Sequence, residues 1–135
     1  MKKLLAFILI LVCISATALA DNYSTMSYSV LINLQRQIVI EIMSRPEWKE
    51  VEVPAGQWRV GEDIPEGTYS IKPSGRSVLV QIWGKTPGDH RTNGGMILNE
   101  IIDKGEVYGK IELKKGWILD LTDPVIIAPP AFLGF

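Results

Sequence analysis

A mainly β fold, an antiparallel β-sandwich of about seven short strands preceded by one amphipathic helix, is what this sequence predicts. Three observations point there. From residue 49 onward, short runs alternate apolar and polar side chains, the period of a half-buried strand. Glycines and prolines separate these runs, as turns require. A pattern of apolar, Pro, x, Gly, x, aromatic, x, apolar also occurs twice, as Val53-Pro54-Ala55-Gly56-Gln57-Trp58-Arg59-Val60 and Ile64-Pro65-Glu66-Gly67-Thr68-Tyr69-Ser70-Ile71, offset by 11 residues.

The chain starts with a different texture. Met1-Lys2-Lys3 is a basic start, Leu4 to Ile14 an apolar run, and Ala18-Leu19-Ala20 a small-x-small site, so residues 1–20 read as a secretory signal cleaved between Ala20 and Asp21. An uncleaved leader is the alternative and the one route to a membrane, although spanning helices usually need about 20 apolar residues. Lipid attachment at Cys13 is disfavoured by Val12, which stands where a small residue belongs.

The 135 residues carry 14 basic and 15 acidic side chains, one Cys and one His. Loss of the leader removes Lys2, Lys3 and Cys13 and leaves 12 basic against 15 acidic groups, a formal charge of -3. That excludes the basic footprint of a nucleic-acid binder. One Cys and one His make neither an internal disulfide nor a zinc site. No cofactor is expected.

Residues 21–48 form the N-terminal helical segment. Leu31, Leu34, Ile38 and Ile42, spaced three, four and four apart, lie within a narrow arc of a helix over 25–44. Ser24 or Thr25 suits its start, and Pro46 ends it near Ser44. This stripe is expected to pack on the sheet that follows. A self-association helix is the sharper alternative, because the apolar surface extends through Val30, Ile32, Val39, Ile40 and Met43. The β-branched residues 38–40 also permit a strand.

Residues 49–135 form the sandwich domain, with strands expected at 57–60, 68–72, 77–83, 96–101, 106–113, 117–121 and 125–128. Trp58, Tyr69, Ile71, Val78, Val80, Ile82, Ile111, Leu113 and Leu119 are expected to face inward. In each repeat, Pro sets φ at the second turn position, Gly suits the fourth, and the aromatic enters the core. Ile102-Asp103-Lys104-Gly105-Glu106-Val107 and Leu113-Lys114-Lys115-Gly116-Trp117-Ile118 echo the unit without Pro, again 11 residues apart, which points to a twofold-related architecture and to a core Trp117.

Candidate functional residues are few. His90 is the only base for a nucleophilic triad, and no nucleophile motif accompanies it. Glu62, Asp63, Asp120 and Asp123 supply carboxylates for a hydrolase on paper, but nothing in the sequence gathers them in one cleft. Asp63, just before the Ile64-Pro65 turn, is expected to bond backbone amides there. Trp83 ends a strand beside the polar, Gly-rich stretch Pro87–Gly95, so Trp83, Asp89, His90, Arg91 and Asn93 make the expected binding surface, with Trp83 as an exposed anchor for a sugar or peptide.

Arg45-Pro46-Glu47-Trp48-Lys49-Glu50-Val51, then Val53-Pro54-Ala55-Gly56, then Val60-Gly61-Glu62-Asp63-Ile64-Pro65-Glu66-Gly67-Thr68-Tyr69-Ser70-Ile71 resembles a family of secreted or surface proteins of Gram-positive bacteria, especially gut Firmicutes. Their shared signature is V-G-x-D-I-P-x-G-x-aromatic. The resemblance covers roughly residues 30–75 and 106–135, including Leu133-Gly134-Phe135, and marks Gly56, Trp58, Gly61, Asp63, Pro65, Gly67 and Tyr69 as structural positions. It implies an extracytoplasmic β-sandwich module and no catalytic residue. The expected function is a non-catalytic exported interaction module for an extracellular or cell-wall ligand. A carbohydrate- or peptidoglycan-binding module at the Trp83 loop and a small cell-wall hydrolase are the alternatives.

Overall fold

The computed structural model describes residues 23–84 and 95–130. Ala20, Asp21, Asp89, His90, Arg91, Asn93 and Leu133-Gly134-Phe135 lie outside the described residues.

Helix α1 (Tyr28–Ser44) precedes, among the described residues, eight strands: β1 (Val51–Val53), β2 (Gly56–Arg59), β3 (Gly67–Pro73), β4 (Val78–Trp83), β5 (Met96–Ile102), β6 (Tyr108–Leu113), β7 (Ile118–Leu121) and β8 (Val125–Ala128). Seven of them are the expected strands, with ends shifted by two residues at most. β1 is the addition. Three residues beside Pro54 are too short for periodicity to mark, and pairing of Val51 with Ile127 and Val53 with Val125 is what makes them a strand.

The ladders follow a simple rule. Reading inward from both ends, β1 pairs with β8, β2 with β7, β3 with β6 and β4 with β5, all antiparallel. The chain is therefore a double-stranded ribbon folded at the β4–β5 connection. Successive pairs alternate between two sheets, of order β1-β8-β3-β6 and β2-β7-β4-β5. Eight strands in this order form a jelly roll. The 11-residue repeat now has its reason: β2 and β3, which follow the two Pro-containing corners, pair with β7 and β6, which follow the two corners without Pro.

The core lies between the sheets. All nine residues expected inside are buried, joined by Val53, Val60, Ile64, Leu121, Val125 and Ile127. Ser70 is the one buried polar residue among those described, and its hydroxyl donates to the Gly109 carbonyl of β6 at 2.7 Å. The bond lies at the register shift between Tyr69 and Ile71, where a bulge leaves a carbonyl off the ladder.

α1 starts later than expected. Ser27, not Ser24 or Thr25, precedes its first residue, and the Ser27 hydroxyl accepts from the Val30 N–H at 3.5 Å. The helix ends at Ser44, two residues before Pro46, as expected. The chain divides into two compact units at Gln35/Arg36, inside α1. Within the second unit the packing face is not the expected one. Val39 and Met43 are buried in the core, whereas Ile38 and Ile42 are 51% and 36% exposed. Arg36, Val39 and Met43 follow the spacing three and four on an adjacent face. Arg36 sets that rotation by ionic and hydrogen-bonding contacts that the apolar periodicity does not register.

Candidate functional site

The V-G-x-D-I-P-x-G-x-aromatic stretch lies within the sandwich unit, and each marked position has a local structural task. The Arg59 carbonyl accepts from the N–H groups of Glu62, Asp63 and Ile64 at 3.2, 2.7 and 3.2 Å, folding residues 59–64 into a tight loop. Gly61 has φ of +90°, where a side chain is strained, and a Cβ there would stand 2.8 Å from Lys115 Cγ. Asp63 Oδ2 accepts from the Arg59 N–H at 2.9 Å and from Arg36 Nη1 at 2.8 Å. A bond to amides of the Ile64-Pro65 turn was expected; the amide bound is instead that of Arg59, four residues before Asp63, and Arg36, 27 residues upstream, was not expected at all.

Arg36 also donates to the Gln57 carbonyl at 2.9 Å and lies 4.8 Å from the centre of the Trp58 ring. It thereby ties α1 to β2 at the edge of its sheet. The carboxylates proposed for hydrolysis are similarly engaged: Asp120 accepts from Gln57 Nε2 at 3.0 Å, Asp123 pairs with Arg76, and Glu62 lies 3.5 Å from Arg59. A polar cleft of about 260 Å³ lined by Arg36, Gln57, Arg59, Asp63 and Ile118 holds one of the four, Asp63.

The two Pro-containing repeats share a device that composition alone does not reveal. Trp58 Nε1 donates to the Pro54 carbonyl at 2.9 Å and the Tyr69 hydroxyl to the Pro65 carbonyl at 2.8 Å. Each aromatic reaches back four residues to lock its own corner, so the position takes Trp or Tyr, which have a polar tip, rather than Phe. Burial raises the Tyr69 hydroxyl pKa above its ordinary value of 10.0, and the neighbouring Glu66 carboxylate adds to the rise. A raised folded-state pKa means stability that is fully present below the unfolded value and lost as pH rises through the folded one. Wild-type protein is expected to lose unfolding free energy above about pH 10 by a margin that Tyr69→Phe does not show, as read by urea titrations at pH 8 and pH 11.

Trp83, the expected anchor, is buried, with 8% exposure. It sits on β4, flanked by β7 and β5, opposite Ile118 and Met96, so the expectation of a solvent-facing indole is corrected: an inner strand encloses it from both sides. The other members of that proposed surface lie outside the described residues.

The apolar opening lies elsewhere. β5 and β6 are edge strands of the two sheets, and between them is a cleft of about 170 Å³. Ile82, Ile97 and Leu98 line it from one sheet and Tyr108 and Ile111 from the other, with Trp117 just ahead of β7. Lys110 and Glu112 stand at its rim. Lys114 Nζ lies 3.6 Å from the Glu112 carboxylate and 5.5 Å from the Trp117 ring centre, placing a cation beside the aromatic wall. Trp117, expected in the core, is half-buried and only flanks it. The sequence-based expectations did not mark this site: Tyr108 lies one residue past the echo Ile102–Val107, and Trp117 was expected in the core.

A volume of this size is below the 300–1,000 Å³ or so that encloses a drug-sized ligand, and fits one ring or one side chain of a larger partner. Among the described residues no three His, Cys, Asp or Glu side chains converge on a metal position, and no helix is long and apolar enough to cross a membrane. Searches of family models, curated proteins and solved structures returned no match to this chain.

Proposed function

We propose that this chain is a non-catalytic exported binding module that docks one sugar ring or apolar side chain of an extracellular or cell-wall ligand in the cleft between β5 and β6. The observation that carries the reading is the pairing of Tyr108 and Trp117 with the charged rim of Lys110, Glu112 and Lys114. Aromatic faces contribute stacking area, and the rim contributes directional hydrogen bonds. Export rests on the leader-like residues 1–20 and on the resemblance to secreted and surface proteins. Cell-wall glycan is the preferred ligand class, because half-exposed aromatics beside polar groups suit a sugar ring, which has one apolar and one hydroxylated aspect.

Titration of ¹⁵N-labelled full chain with soluble peptidoglycan fragments is expected to shift the Trp117 indole resonance and the amides of Tyr108 to Glu112. Trp117→Ala is expected to weaken binding by at least about tenfold, the effect of removing a central aromatic anchor, with an unchanged far-UV spectrum. Resonances at the cleft that stay fixed at millimolar fragment, or fragment-induced shifts confined to other surfaces, would remove the glycan reading.

A further inference from the structure

The four sheet edges of the sandwich unit are not equally guarded. β1 and β2 are three and four residues long, and Arg36 occupies the Gln57 carbonyl on β2. β6 alternates charge along its length with Lys110 and Glu112. β5 is seven residues long, carries neither Lys nor Pro, and exposes Ile97 by 46% and Ile101 by 68%. Short, charged or covered edges resist strand addition, whereas a long apolar edge invites it.

The direction of the free hydrogen-bonding groups on β5 follows from its neighbours. The Leu79 carbonyl accepts from the Thr122 N–H at 3.2 Å, so Leu79 turns its backbone groups toward β7. Alternation then turns those of Val78, Val80 and Ile82 toward β5, where they meet Ile102, Glu100 and Leu98. Asn99 and Ile101 consequently aim their N–H and C=O groups outward, unpaired by the sheet. Their side chains share the outer face with Gln81 and Leu79, their ladder partners.

We infer that β5 pairs antiparallel with β5 of a second copy of this chain, about a twofold axis at Asn99. The strand is self-complementary in that register. Asn99 faces Asn99 of the other copy across a hydrogen-bonded pair, and Ile101 of each copy, 68% exposed when alone, lies beside the start of the other copy's β5, where Ile97 sits at the register shift and lines the cleft. A symmetric pairing moved by one residue centres on Glu100 and sets the two carboxylates directly opposite, which is destabilising. Charge therefore disfavours the Glu100 register, and the opposite shift, to Leu98, runs into the irregular start of β5. The single interruption, a register shift between Ile82 and Trp83, lies at the start of β5 and leaves Leu98–Ile102 regular. The product is one continuous eight-stranded sheet with a closed, isologous interface. Helix α1 is not needed for it, whereas the ligand cleft shares Ile97 and Leu98 with the paired strand.

Sedimentation equilibrium of the full chain tests this. Wild type is expected to be a dimer at micromolar concentration. Asn99→Pro removes an outward N–H, a tolerated change on a free edge, together with the exposed Oδ1 that accepts from Gln81 Nε2 at 2.9 Å, and is expected to yield a monomer with an unchanged circular dichroism spectrum. Ile101→Lys is expected to do the same without a backbone change. The pair Ile38→Lys and Ile42→Lys, on the exposed face of α1, is expected to leave the dimer intact. A wild-type monomer at about millimolar concentration, or a dimer that survives both β5 variants, overturns the inference; a dimer lost only with the α1 variants assigns association to the helix instead. Register is read by cross-linking in a Cys13→Ser background. Asn99→Cys is expected to oxidise to a covalent dimer, since facing Cα atoms about 5.5 Å apart suit a disulfide. Glu100→Cys sits more than about 7 Å from its mate and is not expected to cross-link. The reverse result overturns the register.

Discussion

Trp58→Ala is expected to destabilise the protein by about 3–5 kcal/mol, the range for deleting a large buried aromatic, measured as a lowered urea midpoint with an unchanged slope. Trp58 is 2% exposed and does three things in one place. Its ring fills the core opposite Leu119 on β7, its indole N–H holds the Pro54 carbonyl at 2.9 Å, and its face receives Arg36 at 4.8 Å. Truncation opens a cavity, orphans a carbonyl and removes the surface on which a guanidinium rests. Trp58→Phe separates these contributions, because it keeps most of the ring and removes only the N–H donor. A loss of about 1 kcal/mol is expected for that single hydrogen bond. Equal losses in Trp58→Ala and Trp58→Phe would mean that the corner bond, not the packing, dominates.

Val39→Asp is expected to cost at least about 3 kcal/mol, the penalty of placing an unpaired charge in a buried site. Ile38→Asp, one residue away, is expected to fall within about 0.5 kcal/mol of wild type, as exposed substitutions do. The contrast follows from exposure: Val39 is 3% exposed and Ile38 51%. The two variants have the same change in charge and neighbouring backbone positions, so the difference between them reports which face of α1 docks. Thermal unfolding followed by circular dichroism measures it, and a reversed order would return the docking face to the Leu31-Leu34-Ile38-Ile42 stripe.

The V-G-x-D-I-P-x-G-x-aromatic stretch reads as a folding device. Gly61 supplies a left-handed backbone, Asp63 caps the 59–64 loop and binds Arg36, and Tyr69 locks the Pro65 corner. Every one of these tasks concerns how β2 turns into β3. The cleft proposed for binding lies outside this stretch, between β5 and β6, where Tyr108 and Trp117 are accessible.

Much of the fold was legible because its causes are local. The alternation of Val78, Val80 and Ile82 shows a strand with one buried face, and Pro at 54 and 65 with Gly at 56 and 67 shows two corners. The candidate site was less legible. Trp83 and Trp117 are both tryptophans beside glycines, and their sequence surroundings suggest the reverse of their actual exposure. What separates them is tertiary placement: Trp83 is buried on β4, and Trp117, just ahead of β7, lines the cleft between β5 and β6.

By itself the sequence determined the class of the fold, seven of the eight strands described, the inward face of five of them, and the corners that join them, because a period of two and the backbone limits of Pro and Gly act within a few residues. Tertiary structure alone decided that the strands pair as a folded ribbon, that α1 turns Val39 and Met43 rather than Ile38 and Ile42 to the core, and that an apolar cleft opens between two edges. Those outcomes depend on contacts such as Arg36 with Asp63 and Val51 with Ile127, made between residues far apart in the chain, where no local preference distinguishes one partner from another.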